Sequence, residues 1–146
     1  MDDPVNHPVH YTSHPSGVEC IAITEHMSFI LGNAFKYLYR RNHKGQWETD
    51  VRKALWYVER ELQRPTEDWL SLMWNDNTEY ELSEQLDKIC RLENGSLGQV
   101  FYLLVFYRGE RDLRRVKFFL EEEIQSITSV KSDPPEARGP VPPKAG

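Results

Sequence analysis

The chain carries one helical pattern twice. The stretches "LGNAFKYLYRRNHKGQWETDVRKALWYVERELQ" and "LGQVFYLLVFYRGERDLRRVKFFLEEEIQ" agree at Leu31/Leu97, Gly32/Gly98, Phe35/Phe101, Leu38/Leu104, Asp50/Asp112, Arg52/Arg114, Glu59/Glu121 and Gln63/Gln125, and the second copy is four residues shorter in the turn. A helical hairpin of this length cannot hide its apolar stripe alone, so two of them are expected to pack around a shared core. The expectation is an all-α helical bundle built from two related hairpins, at about residues 31–63 and 97–127.

Periodicity fills in the rest. Apolar residues at helical spacing predict helices over Val18–Met27, Leu31–Asn42, Asp50–Gln63, Glu81–Glu93, Leu97–Tyr107 and Arg111 to about Ile127. "HKGQ" serves as the turn in the first hairpin and Asn94-Gly95 as the break after the fourth helix, while residues 66–80 read as an irregular connection or a short helix. Leu31, Phe35, Leu38, Leu55, Phe101, Leu104 and Leu120 are assigned to the core, and Trp47, Trp56, Trp69 and Trp74 to packing or subunit contact. Residues 1–130 make one helical domain with an extended N-terminal arm. Residues 131–146, "KSDPPEARGPVPPKAG", read as a disordered Pro-rich tail.

At 146 residues the chain has the length of one ordinary domain. No apolar run reaches the roughly 18 residues that span a bilayer, and the start lacks the order of a secretory signal, so a cytoplasmic protein is expected. Cys20 and Cys90 match no metal spacing and read as reduced core thiols. A net charge of −5 argues against general nucleic-acid binding. Yet Lys36, Arg40, Arg41, Lys44, Arg52 and Lys53 crowd one short stretch, and a compact cationic spot on an acidic chain suits a small polyanion.

The repeat supplies an internal control. What both copies keep is owed to the fold: Asp50 and Asp112 are read as helix N-terminal charges or caps, with Lys53 and Arg115 as their ion-pair partners. What one copy alone carries has no such excuse, and Lys36, Arg40 and Arg41 become Tyr102, Phe106 and Tyr107 in the second copy. Asn33, Lys36 and Arg40 lie three and four apart and share a ridge, with Lys44 a turn beyond; such a ridge can grip phosphate oxygens. A solvated helix face has the same spacing, and the asymmetry between copies favours a site.

The arm "VNHPVHY" gathers Asn6, His7, His10 and Tyr11 around Pro8, groups that can stack on a nucleobase and bond its edge. It is expected to close over the cationic ridge. His7, His10 and His14 read only weakly as metal ligands, and no metal site is assigned.

"VNHPVHY", "GVECI", "LGNAFKYLYR", "HKG" and "DVRKALWYVERE", in that order over residues 4–63, resemble a phage-encoded nucleotide kinase-like family of unknown-function domains that includes an early deoxynucleoside monophosphate kinase of a coliphage. The resemblance implies roles for Asn6, His7, Pro8, His10, Tyr11, Glu19 and Cys20, for Gly32, Asn33, Lys36, Tyr37, Arg40, Lys44 and Gly45, and for Asp50, Lys53, Ala54 and Tyr57. Tyr39 departs from the tryptophan many members carry there. The chain has no GxxxxGK[ST] loop, so the implied kinase works without one. In this reading Lys36, Arg40, Arg41 and Lys44 neutralise phosphates, His7 or His10 polarises the acceptor, and Glu19 or Asp50 orients the arm or a Mg²⁺ ion arriving with a nucleoside triphosphate.

Two alternatives stand beside it. One is a protein that captures a nucleotide, such as a host-defence signal, without converting it. The other is an all-α metal-dependent nucleotide pyrophosphohydrolase, suggested by Glu81, Glu84 and Asp87 on one helical face, although the run Glu121–Glu123 is a poor second carboxylate set. A homo-oligomer in the host cytoplasm is expected in each case.

Overall fold

The computed structural model describes Val5, Val9, residues 14–64 and residues 76–132. The predicted arm, apart from Val5, Val9 and its root, the connection through Trp69 and Trp74, and residues 133–146 of the Pro-rich tail lie outside these residues, while Lys131 and Ser132, predicted as the start of that tail, are the last turn of a helix. The described chain is all-α: α1 (Cys20–Thr24), α2 (Phe29–Arg40), α3 (Trp47–Leu62), α4 (Asp76–Arg91), α5 (Leu97–Phe106) and α6 (Glu110–Ser132), with a 3₁₀ turn over His43–Gly45.

Helix boundaries follow local chemistry that apolar spacing does not report. α2 starts two residues earlier than its apolar pattern because the Ser28 hydroxyl accepts the Leu31 amide at 3.3 Å, a side-chain N-cap. α1 is shorter than expected, ending where the His26 and Met27 amides turn back to the Ile23 and Thr24 carbonyls. α4 and α6 are both longer than predicted, the first reaching back to Asp76 and the second running on to Ser132. Gly45 has φ of +68° at the hairpin tip, a backbone setting in which a side chain is strained.

α2 packs on α3 and α5 on α6, then α2 meets α5 and α3 meets α6. The four helices thus form a closed ring. Both contacts between the hairpins join an element to its own repeat counterpart, the arrangement of a pseudo-twofold axis. Phe35 and Phe101, equivalent in the repeat, meet edge to face with centroids 5.0 Å apart and are both fully buried. α4 covers α5 and touches α1, and α1 lies on α2. The core holds the predicted Leu31, Phe35, Leu38, Phe101, Leu104 and Leu120; Leu55, predicted with them, is only partly buried at its edge. Trp47 is half-buried, whereas Trp56 is 58% exposed.

Two features kept by both copies have structural roles. Arg52 pairs with Glu48 at 3.3 Å, and Arg114 with Glu110 at the equivalent place. The glycines, however, differ. A Cβ on Gly98 would sit 2.9 Å from the Cys90 carbonyl oxygen, so this glycine sets how closely α5 approaches α4; a Cβ on Gly32 would meet nothing nearer than 3.7 Å. Gly98→Ala is therefore expected to cost about 1–3 kcal/mol by forcing backbone apart. Gly32→Ala is expected to be neutral or to gain up to about 1 kcal/mol from helix propensity. Urea unfolding of the two variants measures the contrast.

Candidate functional site

α2 and α3 run antiparallel and lay their polar faces side by side. The Asn33 amide donates to the Phe29 carbonyl at 2.7 Å, which turns its oxygen toward Lys36, whose ammonium donates to it at 2.9 Å. Lys36 Nζ lies 4.5 Å from the centroid of the Tyr37 ring, Lys53 Nζ 5.1 Å and the Arg40 guanidinium carbon 5.9 Å. Tyr37 stacks on Tyr57 at 5.9 Å with an interplanar angle of 17°, and Trp56 meets Tyr57 edge-on. Three cations thus gather around one aromatic ring. Attraction to the ring quadrupole offsets part of their mutual repulsion and leaves their outward sides open to an anion.

Asp50 lies beneath this face. It is 0% exposed and pairs with Arg40 at 3.5 Å. It stands in the first turn of α3, an N-terminal helix charge as its repeat position suggested, but it neither caps the helix nor pairs with Lys53. Gln46 occupies the α3 N-cap without a side-chain bond, and Lys53 stays exposed over Tyr37. The counterpart Asp112 does perform the helix-start task, accepting the Arg108 amide at 2.9 Å.

Arg41 departs most from its expected role. It is 3% exposed, ion-paired with Glu93, donating to the Leu38 carbonyl at 2.8 Å and lying 4.7 Å over the Trp47 ring. One helical step of about 100° turns it from the ridge into the interior, where its two terminal nitrogens are engaged and its Nε has no hydrogen-bond partner among the described residues. Glu93 also meets His14, whose Nε2 is 2.8 Å from Oε1. The Ser16 amide donates to His14 Nδ1 at 3.1 Å, which assigns the ring proton to Nε2 and makes His14 a donor to Glu93. His14, read from sequence only as a weak metal candidate, is instead the pin that fastens the root of the arm to the turn after α4. Glu93 had no signal in the sequence except its place beside Asn94-Gly95.

The root continues along α2. The Tyr39 hydroxyl donates to the Val18 carbonyl at 2.8 Å, and burial, with Cys20 and Glu19 adding, raises this phenol to about 12. Burial likewise pushes the Cys20 thiol to about 12 against the charge of nearby Lys36, and Cys90 to about 11, so both are unreactive thiols. Glu19 stands at the start of α1 near Tyr39, on the side of α2 from which the arm departs. The structure therefore brings together Asn33, Lys36, Tyr37, Arg40, Asp50, Lys53 and Tyr57, leaves Glu19 on the arm's root near Tyr39, and removes Arg41. Asn6, His7, Pro8, His10 and Tyr11, and the side chain of Lys44, lie outside the described residues.

On α4, Tyr80 donates to Glu84 at 3.0 Å and Asp87 pairs with Arg91 at 2.8 Å. Glu123, in the triple-glutamate run, accepts the Trp47 indole N–H at 3.1 Å. Among the described residues no group of three or more His, Cys, Asp or Glu is placed to hold a metal ion.

A family described as a protein of unknown function, DUF3310, matches residues 5–59, so the chain is similar to it from the arm through most of α3. No curated protein and no solved structure matches the chain. The whole cation and tyrosine face falls inside the matched stretch; Glu93 and the second hairpin fall outside it.

Burial acts to raise the Glu93 carboxyl, but hydrogen bonds from His14 and Arg41 and the Arg41 charge outweigh it and hold the group below its ordinary value. A folded-state value below the unfolded one contributes stability above the unfolded pKa of about 4.3, lost as pH falls through the folded value. Acid unfolding of the wild type is expected to steepen below that pH, with a shallower slope in Glu93→Gln. Arg41→Met, which strips Glu93 of its cation, is expected to cost about 3–5 kcal/mol at pH 7. Circular dichroism against pH and denaturant reads both.

Proposed function

We propose that the α2–α3 face binds the phosphates of a nucleotide, with the arm residues Asn6, His7, His10 and Tyr11 supplying contacts to the base and the acceptor. The observation that carries this reading is the convergence of Lys36, Arg40 and Lys53 on Tyr37 in one hairpin only. At the equivalent places the second hairpin has Tyr102 and Phe106 for Lys36 and Arg40 and Leu103 for Tyr37, and there it builds packing. A phosphate needs charge neutralisation and fixed donors, and both are available on two rigid helices.

The reaction that fits this reading, on the resemblance to the phage kinase-like family, is phosphoryl transfer from a nucleoside triphosphate to a nucleoside monophosphate. Such transfer depends on alignment and electrostatic stabilisation more than on covalent chemistry, and cations of this kind supply the second. A divalent cation would enter with the triphosphate, since Asp50 is enclosed against Arg40. That same enclosure favours the second reading, capture of a nucleotide without turnover, because the described face then offers cations and phenols with its carboxylate turned inward. Exposed Trp56, Tyr102 and Phe118 support association of copies into a homo-oligomer.

Purified protein incubated with γ-labelled ATP and each deoxynucleoside monophosphate is expected to yield labelled diphosphate. Nucleotide bound but returned unchanged would select capture. Under either reading Lys36→Ala and Lys53→Ala are each expected to weaken nucleotide binding roughly five- to tenfold, as measured by calorimetry.

A further inference from the structure

The Asp50–Arg40 pair is poorly compensated. Neither Asp50 oxygen has a hydrogen-bond partner among the described residues, and the nearest cation, Arg40 Nε, is 3.5 Å away and itself enclosed without an acceptor. A charge-assisted N–H···O bond closes to roughly 2.7–2.9 Å, so these groups face each other with slack. Burying a carboxylate on such terms is unfavourable, and an apolar pair in the same space is often more stable. The repeat shows that the hairpin does not require it: Asp112 bonds a backbone amide instead, and the counterpart of Arg40 is Phe106. The pair is present only beneath the cationic face. Arg40 remains 20% exposed, so part of its side chain reaches that face while Nε is held below.

We propose that Asp50 is a positioning residue: it draws the Nε edge of Arg40 inward, so that the opposite edge of the guanidinium is presented beside Tyr37 to an incoming anion. Asp50 acts through Arg40 and does not touch the ligand. The inference rests on the reading of this face as a phosphate site. The slack in the pair gives Arg40 a little travel toward a bound oxyanion without losing its anchor.

A double-mutant cycle on the full chain tests this, with Asp50→Asn (shape kept, charge removed), Asp50→Leu (acceptor removed as well), Arg40→Met and the double variants. Calorimetry with the four deoxynucleoside monophosphates and four triphosphates is expected to show a roughly tenfold loss for Asp50→Leu, a smaller loss for Asp50→Asn, and no further loss when either is added to Arg40→Met. A merely structural role would lower the melting temperature; positioning predicts that Asp50→Asn melts at or above the wild type. In ¹⁵N spectra the Arg40 Nε–H signal is expected to be distinct in the wild type and to merge with those of exposed arginines in Asp50→Leu. Unchanged affinity in both Asp50 variants, losses that multiply independently of Arg40, or an unmoved Arg40 signal overturns the inference. Absence of nucleotide binding in the wild type overturns the phosphate reading instead, and the Arg40 signal still decides whether Asp50 orders that side chain.

Discussion

The edge-to-face contact of Phe35 and Phe101 is the interaction on which the rest of the molecule depends. It joins the two hairpins at equivalent residues, and with the α3–α6 contact it closes four helices into a ring around one core. The second hairpin has a further apolar face on α5, which α4 covers. Once the inner faces are spent on each other, the outer side of the α2–α3 pair is left free, and residues there answer to chemistry other than packing.

Two adjacent arginines show how sharply the ring divides these roles. Arg41 points inward, where it meets Glu93, the Leu38 carbonyl and Trp47, and Glu93, bonded in turn by His14, ties α2 to the turn after α4 and to the root of the arm. Arg40 points outward, leaning on Asp50 and sharing Tyr37 with two lysines. The first supports stability, and the second lies at the candidate site. Because the His14–Glu93–Arg41 cluster fixes where the arm leaves the bundle, the support of the arm and the cationic face are mechanically linked through α2.

Much of this was legible in the chain. The repeat gave the all-α hairpin architecture, because duplicated apolar spacing admits few other packings, and the mismatch between copies marked Lys36 and Arg40 as residues the fold did not need. Misreadings came where a side chain's partner lies far away in sequence. Arg41 looked like its neighbour until Glu93, fifty-two residues on, took it inside. Asp50 looked like Asp112 until packing turned it, still in the first turn of α3, to face Arg40 where Asp112 takes a backbone amide. Tyr37 and Tyr57, implied only through resemblance, and Lys53, read as the partner of Asp50, became a physical cluster when α2 and α3 were placed side by side.

The sequence by itself determined the helices, their pairing into related hairpins and the unequal distribution of cations between them, since these follow from local spacing and from comparison of the chain with itself. Only the tertiary structure decided which cations face solvent and which are consumed in the interior, that His14 fastens the arm, and that Asp50 stands behind Arg40. Those outcomes depend on the direction each side chain takes once helices pack, and a rotation of one residue is enough to exchange a ligand-facing charge for a buried one.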